Sequence, residues 1–264
     1  MSTATAATGA PWRWLVSDRA ARYTARVLAL VLWQAAGTLS DRIPTPVGTV
    51  NFLIDEWMRG ELLPHLTWTM RRAAMALTVV LVLGVLIGWA MGRWWRAGAF
   101  GRDFTTILLA LPAFIWALLA AIWWGFSEVG PFIVPLLAAT PMLVASTYEG
   151  AKSLPRPLVE MSEAYHVPGT RMFGMLVLPA MAPFIIAGFR YAVLAGWGAL
   201  SLVEFFASNW GAGYRAAYWY DAGNFNGLMG WGLLEIVVIV AIDRLILERL
   251  ARYSRRWQEG TERW

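Results

Sequence analysis

Residues 73–92 read AAMALTVVLVLGVLIGWAMG and contain no Asp, Glu, Lys or Arg. A helix needs about 20 mainly apolar residues to cross a hydrocarbon core of roughly 30 Å. This stretch therefore predicts a membrane-spanning helix, and it makes an all-α membrane protein the expected fold class.

Working outward from this run, further apolar stretches of similar length follow along the chain. The other spans are predicted at 24–40, 104–127, 129–148, 174–203 and 226–247. Only Glu128 separates two of them, which requires a tight turn at that residue. Arg190 is the one charge in the stretch 172–203, and Glu235 is the one charge in the stretch 222–242. We expect six transmembrane helices.

The first span is the weakest of the six, because residues 27–40 provide just 14 uncharged positions. An arginine-rich segment precedes it, which is also the layout of a signal peptide. No small-x-small cleavage site follows convincingly. An uncleaved first span gives the even number of helices that the charge distribution favours.

The distribution of Lys and Arg predicts the orientation of the chain, because cytoplasmic loops carry an excess of these residues. On a six-span arrangement, sixteen cations fall on the side of both termini, five fall on the other side, and Arg190 lies within the membrane. We expect a cytoplasmic segment at 1–26, a transmembrane domain at 27–248 with a cytoplasmic loop at 149–173, and a cytoplasmic basic tail at 249–264.

Composition supports a membrane protein, since 58% of the 264 residues are hydrophobic and 15% are charged, with a mean hydropathy of +0.51. Soluble domains usually carry about a quarter charged residues. The net charge of +5 does not indicate nucleic-acid binding, because almost every basic residue lies just outside an apolar run, where lipid headgroups or cytoplasmic loops explain it.

The sequence lacks the residues that several kinds of chemistry require. Cysteine is absent, which excludes thiol chemistry and disulfides. Ala151 precedes Lys152, so the Gly-Lys of a phosphate-binding loop is missing. His65 and His166 fall on opposite sides of the membrane and do not predict a metal site. No catalytic constellation is present, and we expect a protein that is not an enzyme and has no cofactor of its own.

Prolines within or beside the spans indicate a pathway through the protein. In a membrane, broken helices persist only where protein or a wet cavity surrounds them. The six prolines are Pro112, Pro131, Pro135, Pro141, Pro179 and Pro183. Trp116 and Trp197 could line an aromatic path, although tryptophans are more often packing residues.

Arg190 lies eleven residues after Pro179, roughly 16 Å into the bilayer. An unpaired charge at that depth is costly. Arg190 is therefore either an anion contact or gate, or the partner of a carboxylate, for which Glu235 and Glu204 are the candidates. We favour the structural pair.

Two further patterns predict packing. The outer segment 44–66 places Val50, Leu53, Ile54, Trp57 and Met58 at helical spacing, with Asp55, Glu56 and Arg59 on the other face, as in a helix along the membrane surface. In the second span Gly84, Gly88 and Gly92 recur every fourth residue, which favours close approach of another helix.

The cytoplasmic loop contains a short amphipathic helix. Ser153, Pro155 and Pro157 form a helix-start pattern, after which Leu158, Met161 and Tyr165 share one apolar face. Glu160 and Glu163 make an anionic lipid surface unattractive, so we expect the helix to dock in a groove of a partner protein.

In this loop the chain resembles the permease subunits of type I ATP-binding-cassette (ABC) importers. Their signature is Glu-Ala-Ala, three residues, Gly, nine residues, then Ile-x-Leu-Pro. One register, counted back from Leu178-Pro179, aligns Glu160, Met161 and Ser162 with Glu-Ala-Ala and His166 with the Gly. A second register aligns Glu163, Ala164 and Tyr165 with that triplet and Gly169 with the Gly, but it leaves the Leu-Pro three residues too close.

Other stretches extend the resemblance to the nitrate, sulfonate, taurine and bicarbonate branch of these permeases. They include the outer PTPVGTVNFLIDEWMRGELLPHLTWTMRRA, the fifth-span LPAMAPFIIAGFRYAVLAGWGALSLVEF and the closing IDRLILERLARYSRRW. In that branch Arg190 and Glu204 stand at commonly filled positions. With Pro112, Trp116 and Trp197 they are the pathway or gate candidates.

The resemblance implies a subunit of the bacterial inner membrane that imports a small anion such as a sulfonate or nitrate. The implied partners are a second permease copy, cytoplasmic ABC ATPase subunits that bind ATP and Mg, a periplasmic or lipid-anchored solute-binding protein, and membrane lipid. The helix from Pro157 to Tyr165 would couple the permease to the ATPase. A vitamin precursor or an aromatic compound is the alternative solute, and an ATP-independent carrier or channel is the alternative class.

Overall fold

The computed structural model describes residues 18–40 and 42–252, and in that part of the chain it contains helices, short connections and no strand. The helices are α1 Asp18–Thr38, α2 Pro46–Met58, α3 Leu62–Arg93, α4 Trp95–Ala110, α5 Ala113–Trp124, α6 Val129–Lys152, α7 Arg156–Ala164, α8 Gly169–Met172, α9 Leu178–Ala207, α10 Ala212–Asp221 and α11 Phe225–Ile242. The predicted all-α fold is confirmed. Most of the predicted N-terminal segment 1–26 and of the basic tail 249–264 lies outside the described residues.

Four helical stretches among the described residues are long and apolar enough to cross a membrane. They are Leu62–Arg93, Val129–Lys152, Gly169–Ala207 and Phe225–Arg252. Two of them include a π-helical turn, at Phe173–Val177 before α9 and at Asp243–Leu247 after α11. These stretches contain four of the spans proposed from the sequence.

The stretch 104–127 is not the single straight span that its composition predicted. The structure divides it into α4 and α5, whose axes differ by 85°. The break lies at Leu111 and Pro112, which both have extended backbone. Proline has no N–H to donate and disfavours a helical residue before it. The bent pair counts as a fifth span only if its two halves are taken together.

The first helix, α1, is long enough at 21 residues but is not as apolar as the helices that could cross a membrane. Arg22, Arg26 and Gln34 lie within its 21 residues and dilute the apolar run. The count of six transmembrane helices therefore remains a prediction.

Helix α6 forms the centre of the molecule, with α3 on one side and α9 on the other. The glycines of α3 follow α6 turn by turn: Cβ atoms at Gly84 and Gly88 would lie 2.6 Å from Leu143 Cγ and Thr147 Cβ, and one at Gly92 would overlap Ala151. The two helices therefore run parallel, in contact over three turns. The helix-packing interpretation of this glycine repeat is confirmed.

Helix α9 packs on α6 in the antiparallel direction. A Cβ at Gly150 would lie 2.8 Å from Phe184 Cβ, and one at Gly188 would overlap Ser146. The bundle thus has an α7 end, where α3 and α6 finish and α9 begins. The opposite end, where α3 and α6 begin and α9 finishes, is here named the α10 end.

Helix α2 lies at the α10 end and packs against α11. The expectation that Glu56 lies on its water face is wrong, because Glu56 is fully buried, accepts hydrogen bonds of 2.8 and 2.6 Å from Arg215, and is near Trp231 Nε1 at 3.2 Å. Leu53 packs inward with this cluster. The exposed apolar stripe of α2 instead consists of Val47, Val50, Ile54, Trp57 and Met58.

Candidate functional site

Helix α7 begins at Arg156, where Pro155 supplies the extended residue before the helix and Pro157 occupies the first turn, where its missing N–H costs nothing. Ser153 does not start this helix. Its backbone ends α6, and its hydroxyl donates to Gly150 O at 2.8 Å.

The predicted apolar face of α7 lies on the surface. Leu158, Met161 and Tyr165 are 40%, 53% and 78% exposed. These side chains recur at intervals of three and four residues, so they form one continuous stripe on the helix. The structure brings them together on a surface that no described residue covers.

The two glutamates of α7 lie on its other side. Glu160 and Glu163 line a cavity of about 1140 Å³ between α7 and the ends of α3 and α6. Arg93 and Lys152 stand on the facing walls, and the rest of the lining is mainly apolar: Leu86, Trp89, Ala151, Leu154, Val159, Val167, Met172, Phe173 and Val177. Neither glutamate is part of the exposed apolar stripe.

The chain leaves α7 through a left-handed residue. Among the described residues, His166 is the one non-glycine with a positive φ, at +51°. Helices commonly end on glycine in this conformation, because glycine has no Cβ to clash. His166 is the position that the first register aligns with the motif glycine, whereas Gly169 starts α8 without a positive φ. Leu178 and Pro179 then form the first turn of α9.

At the α10 end, Arg72 of α3 joins three elements. One edge of its guanidinium donates to Glu128, with Nε to Oε2 at 2.8 Å and Nη2 to Oε1 at 2.5 Å. Its Nη1 donates to Glu204 Oε1 at 2.7 Å, to Ser208 Oγ at 3.1 Å and to Trp210 O at 2.7 Å. The hydrogen bond from Arg72 lowers the pKa of the Glu128 carboxyl below its usual value.

The start of α10 is capped entirely by side chains from other helices. The N–H groups of Gly211, Ala212 and Gly213 donate to His65 Nδ1 at 3.2 Å, Thr69 Oγ1 at 2.8 Å and Glu204 Oε2 at 3.1 Å. The Thr69 hydroxyl in turn donates to Glu204 Oε2 at 2.7 Å. Because the first N–H groups of a helix have no partner within it, these contacts fix α10 on α3 and α9.

Glu204 is fully buried at the junction of these contacts. Gly211 lies against its carboxylate with φ +120°, and a Cβ there would overlap the carboxylate atoms. Of the predicted gate residues, Glu204 is thus a structural centre, bound to Arg72, Thr69 and α10.

Arg190 does not pair with Glu235 or Glu204, the partners considered from the sequence. It forms a two-pronged ion pair with Asp243, Nε to Oδ1 at 2.5 Å and Nη2 to Oδ2 at 2.7 Å. Glu204 is already bound by Arg72, and Glu235 accepts from Ser201. Asp243 lies in the π-helical turn after α11, within the predicted span 226–247 but eight residues after Glu235, the partner that the sequence suggested there.

The remaining pathway candidates lie close together near α5. Trp197 is buried and Trp116 half-buried in the same apolar cluster, and the two indole N–H groups have no hydrogen-bond partner. Pro112 ends the break between α4 and α5. The two tryptophans contact packed protein, whereas Pro112 is exposed, so this structure does not show an open aromatic path along them.

Sequence reasoning missed Arg72, which it assigned to an outer loop. The signal was present in the spacing of His65, Thr69 and Arg72, which puts three polar side chains on one helix face at intervals of four and three. Because α3 begins at Leu62, eleven residues before the apolar run, this face is helical and buried.

No group of three or more His, Cys, Asp or Glu within the described ranges is placed to hold a metal ion.

Comparison with known proteins connects this geometry to a family. Residues 80–259 match the family described as binding-protein-dependent transport system inner membrane component. The putative aliphatic sulfonates transport permease protein SsuC of Escherichia coli K12 is 30% identical, with 94% of this chain and 91% of that protein covered. The taurine transport system permease protein TauC of the same organism is 24% identical, with 93% of each chain covered.

Among solved structures, the fold is similar to a chain of the MetNI methionine ABC transporter in an inward-facing conformation. The TM-score is 0.57 at 14% identity, with 72% of this chain and 96% of that chain covered. The resemblance to type I ABC importer permeases is confirmed. This chain is therefore a multi-pass protein of the inner membrane that belongs to the family of binding-protein-dependent transport system permease components.

Proposed function

We propose that this chain forms the translocation path of an ATP-driven importer for a small organic oxyanion of the sulfonate class. The family assignment supports transport together with a solute-binding protein. The substrate class is supported by relatives named for aliphatic sulfonates and for taurine, which match this chain over nearly its whole length.

The exposed apolar stripe of α7 is the observation that carries the coupling role. Leu158, Met161 and Tyr165 project from a nine-residue helix in the connection between the two helices that pack on each other most extensively, α6 and α9. Burying this stripe in a groove of an ABC ATPase would remove it from water. ATP and Mg would bind to that ATPase and not to this chain.

Of the two motif registers, we favour the one that makes Glu160, Met161 and Ser162 the signature triplet. The left-handed backbone at His166 supports it, because the motif glycine is expected where a positive φ is required. In this register Met161 belongs both to the triplet and to the apolar stripe, while Glu160 faces the cavity beside Arg93.

The packing of the bundle suggests how movement of α7 would reach the solute path. Helix α7 is joined directly to α6 and, through α8, to α9, so a shift of α7 acts on both. At the other end α9 is fixed to α3 and α10 through Glu204. Two such permeases, biased by ATP at the α7 end and by a loaded binding protein at the α10 end, would alternate between two packings. In this proposal both termini and α7 lie in the cytoplasm.

Co-purification tests the coupling role. The tagged chain would be expressed in its native host, purified in mild detergent, and any bound ABC ATPase measured by quantitative mass spectrometry. We expect a stoichiometric ATPase with the unsubstituted chain and at least a tenfold loss with Met161→Asp. Glu163→Gln, on the cavity side of the same helix, is the matched control and should retain the ATPase.

Glu160→Lys adds a test of the register, and we expect it to reduce ATPase retention while the spans stay folded. Equal retention by Met161→Asp and by the control would contradict the coupling assignment. A chain that purifies alone, without substitution, would instead favour an ATP-independent carrier or channel. Transport by the reconstituted complex would then separate a sulfonate from a vitamin precursor or an aromatic compound.

A further inference from the structure

The guanidinium of Arg72 has one fixed edge and one edge that faces the surface. Glu204, Ser208 and the carbonyl of Trp210 hold Nη1 in the interior. The Nε and Nη2 edge meets only Glu128, whose side chain is 64% exposed. Arg72 itself is almost completely buried, so removal of the Glu128 carboxylate would uncover an oriented pair of N–H donors.

Glu128 is positioned to leave this contact. Glu128 lies in the short connection between α5 and α6. In this connection Gly125 has φ +56°, and no atom lies within 4 Å of where its Cβ would be. The Phe126 side chain beside it is 66% exposed. The carboxylate is thus carried by a surface turn, whereas its partner is anchored in the bundle.

One buried donor faces this pair, and a second lies next to Glu128 in the chain. The indole nitrogen of Trp68 and the hydroxyl of Ser127 are buried without a hydrogen-bond partner. Trp68 faces the Glu128 carboxylate without reaching hydrogen-bond geometry, and Ser127 precedes Glu128 in the chain. Buried polar atoms are nearly always satisfied in folded proteins, so unpaired donors at one place need an explanation.

A second cation adds to the charge of this region. The guanidinium of Arg71 lies 4.4 Å from the centre of the Trp68 ring. If Glu128 moved away, Arg71 and the uncovered edge of Arg72 would present positive charge together with the donors of Trp68 and Ser127. That combination is suited to an anion with several oxygens.

We propose that Arg72, Trp68 and Ser127 form an oxyanion site in which Glu128 stands in for the sulfonate group of the solute. The choice of a sulfonate rests on the proposed function. A carboxylate has two oxygens, which the Arg72 edge fully engages. A sulfonate has a third oxygen, and that oxygen would accept from Trp68 or Ser127. The site receives the solute at the α10 end, and Glu128 returns when the solute leaves.

The test measures thermal unfolding of the purified permease in detergent, without ATPase, as ethanesulfonate is titrated at constant ionic strength. A ligand at concentration c that binds only the folded state stabilises it by RT ln(1 + c/Kd), so the unfolding temperature begins to rise when the ligand concentration reaches Kd and keeps rising with its logarithm. With Glu128→Gln the internal competitor loses its charge, so we expect the same rise in unfolding temperature at an ethanesulfonate concentration at least tenfold lower than in the unsubstituted chain. Glu149→Gln, a similarly exposed carboxylate at the α7 end, should behave like the unsubstituted chain.

Two further variants define the site. Arg72→Lys keeps the charge but not the two-pronged geometry and should abolish the response to ethanesulfonate. Trp68→Phe in the Glu128→Gln background removes the donor for the third oxygen, so the preference for ethanesulfonate over acetate should fall toward one. This second variant keeps the proposal testable if Arg72→Lys does not fold.

Identical titrations for Glu128→Gln and Glu149→Gln would overturn the site. Equal responses of Glu128→Gln to acetate and ethanesulfonate would overturn the role of the third oxygen. Because the assay contains only the permease, its result is independent of ATPase co-purification, and each of the two proposals can fail while the other stands.

Discussion

The two ends of the bundle treat charged and apolar side chains in opposite ways. At the α10 end, Glu204 and Glu56 are fully buried and each is held by an arginine. At the α7 end, Glu160, Glu163 and Arg93 are exposed around a cavity, and the apolar stripe of α7 faces outward. One end pairs its buried carboxylates with arginines of the same chain, and the other leaves surfaces that a partner can cover.

This difference indicates which end of the bundle is rigid and which end can rearrange. Buried ion pairs tolerate little change, because removal of one partner leaves an uncompensated charge in the interior. Exposed charges around a cavity can rearrange at little cost. The α10 end therefore acts as a fixed junction of α3, α9 and α10, and the α7 end can adjust to a partner, which in the proposed function is an ABC ATPase.

The largest effect that would test this contrast is expected from Arg72→Ala. Glu204 would lose its cation in a fully buried position, for which a cost of about 3–5 kcal/mol is typical. Thermal unfolding in detergent, together with the yield of monodisperse protein, would measure the loss.

Arg93→Ala is the matched control at the α7 end. Arg93 is exposed, and we expect a change within about 0.5 kcal/mol, as for surface substitutions in general. Similar losses for the two arginines would show that the two ends do not differ in rigidity.

A pair of glycines provides the next test. Gly211→Ala at the α10 end places a Cβ in a left-handed residue and against the Glu204 carboxylate, and such strain costs about 1–3 kcal/mol. Gly169→Ala at the α7 end meets open space at an ordinary φ and should have little effect. The same unfolding assay measures both variants, and equal losses would argue against the tight junction around Glu204.

The general fold could be predicted from the sequence because a membrane imposes a length and a composition on each span. The run 73–92 and its successors met both conditions. The break at Pro112 was less accessible, because proline also occurs in continuous spans. In α6, Pro135 and Pro141 lie inside an unbroken helix. Whether a proline ends a helix depends on the packing around it, which composition does not encode.

The site was predictable only in part, and the reason differs between the two ends. The apolar stripe of α7 follows from local spacing, so Leu158, Met161 and Tyr165 could be identified directly. The ion-pair partners are far apart in sequence: Arg72 and Glu204 at the α10 end are 132 residues apart, and Arg190 and Asp243, which lie away from that end, are 53 apart. The helical repeat predicts on which face of its own helix a residue lies. It does not predict which other helix packs against that face.

A smaller effect is expected at His166, and it would sharpen the account of the α7 end. A left-handed conformation costs a residue with a Cβ roughly 1–2 kcal/mol, and glycine avoids this cost. Glycine has the greater entropy in the unfolded chain, which offsets part of the gain. We expect His166→Gly to be more stable than His166→Ala by about 1 kcal/mol in thermal unfolding. The opposite order would remove the support that this backbone gives to the Glu160 register.

The smallest effect is expected from acidification, and it concerns Glu128, the exposed carboxylate that pairs with Arg72 at the α10 end. Arg72 lowers the pKa of Glu128 in the folded protein below the ordinary value of 4.5. A carboxyl with a depressed pKa adds stability above its unfolded pKa and loses it as the pH falls through its folded pKa. The unfolding temperature should therefore decrease on acidification below pH 4.5, and Glu128→Gln should decrease less steeply over that range. Glu149→Gln should follow the unsubstituted chain. If Glu128→Gln showed the full acid dependence, then Glu128 would contribute nothing to the folded state, and the junction at Arg72 would consist of its buried contacts alone.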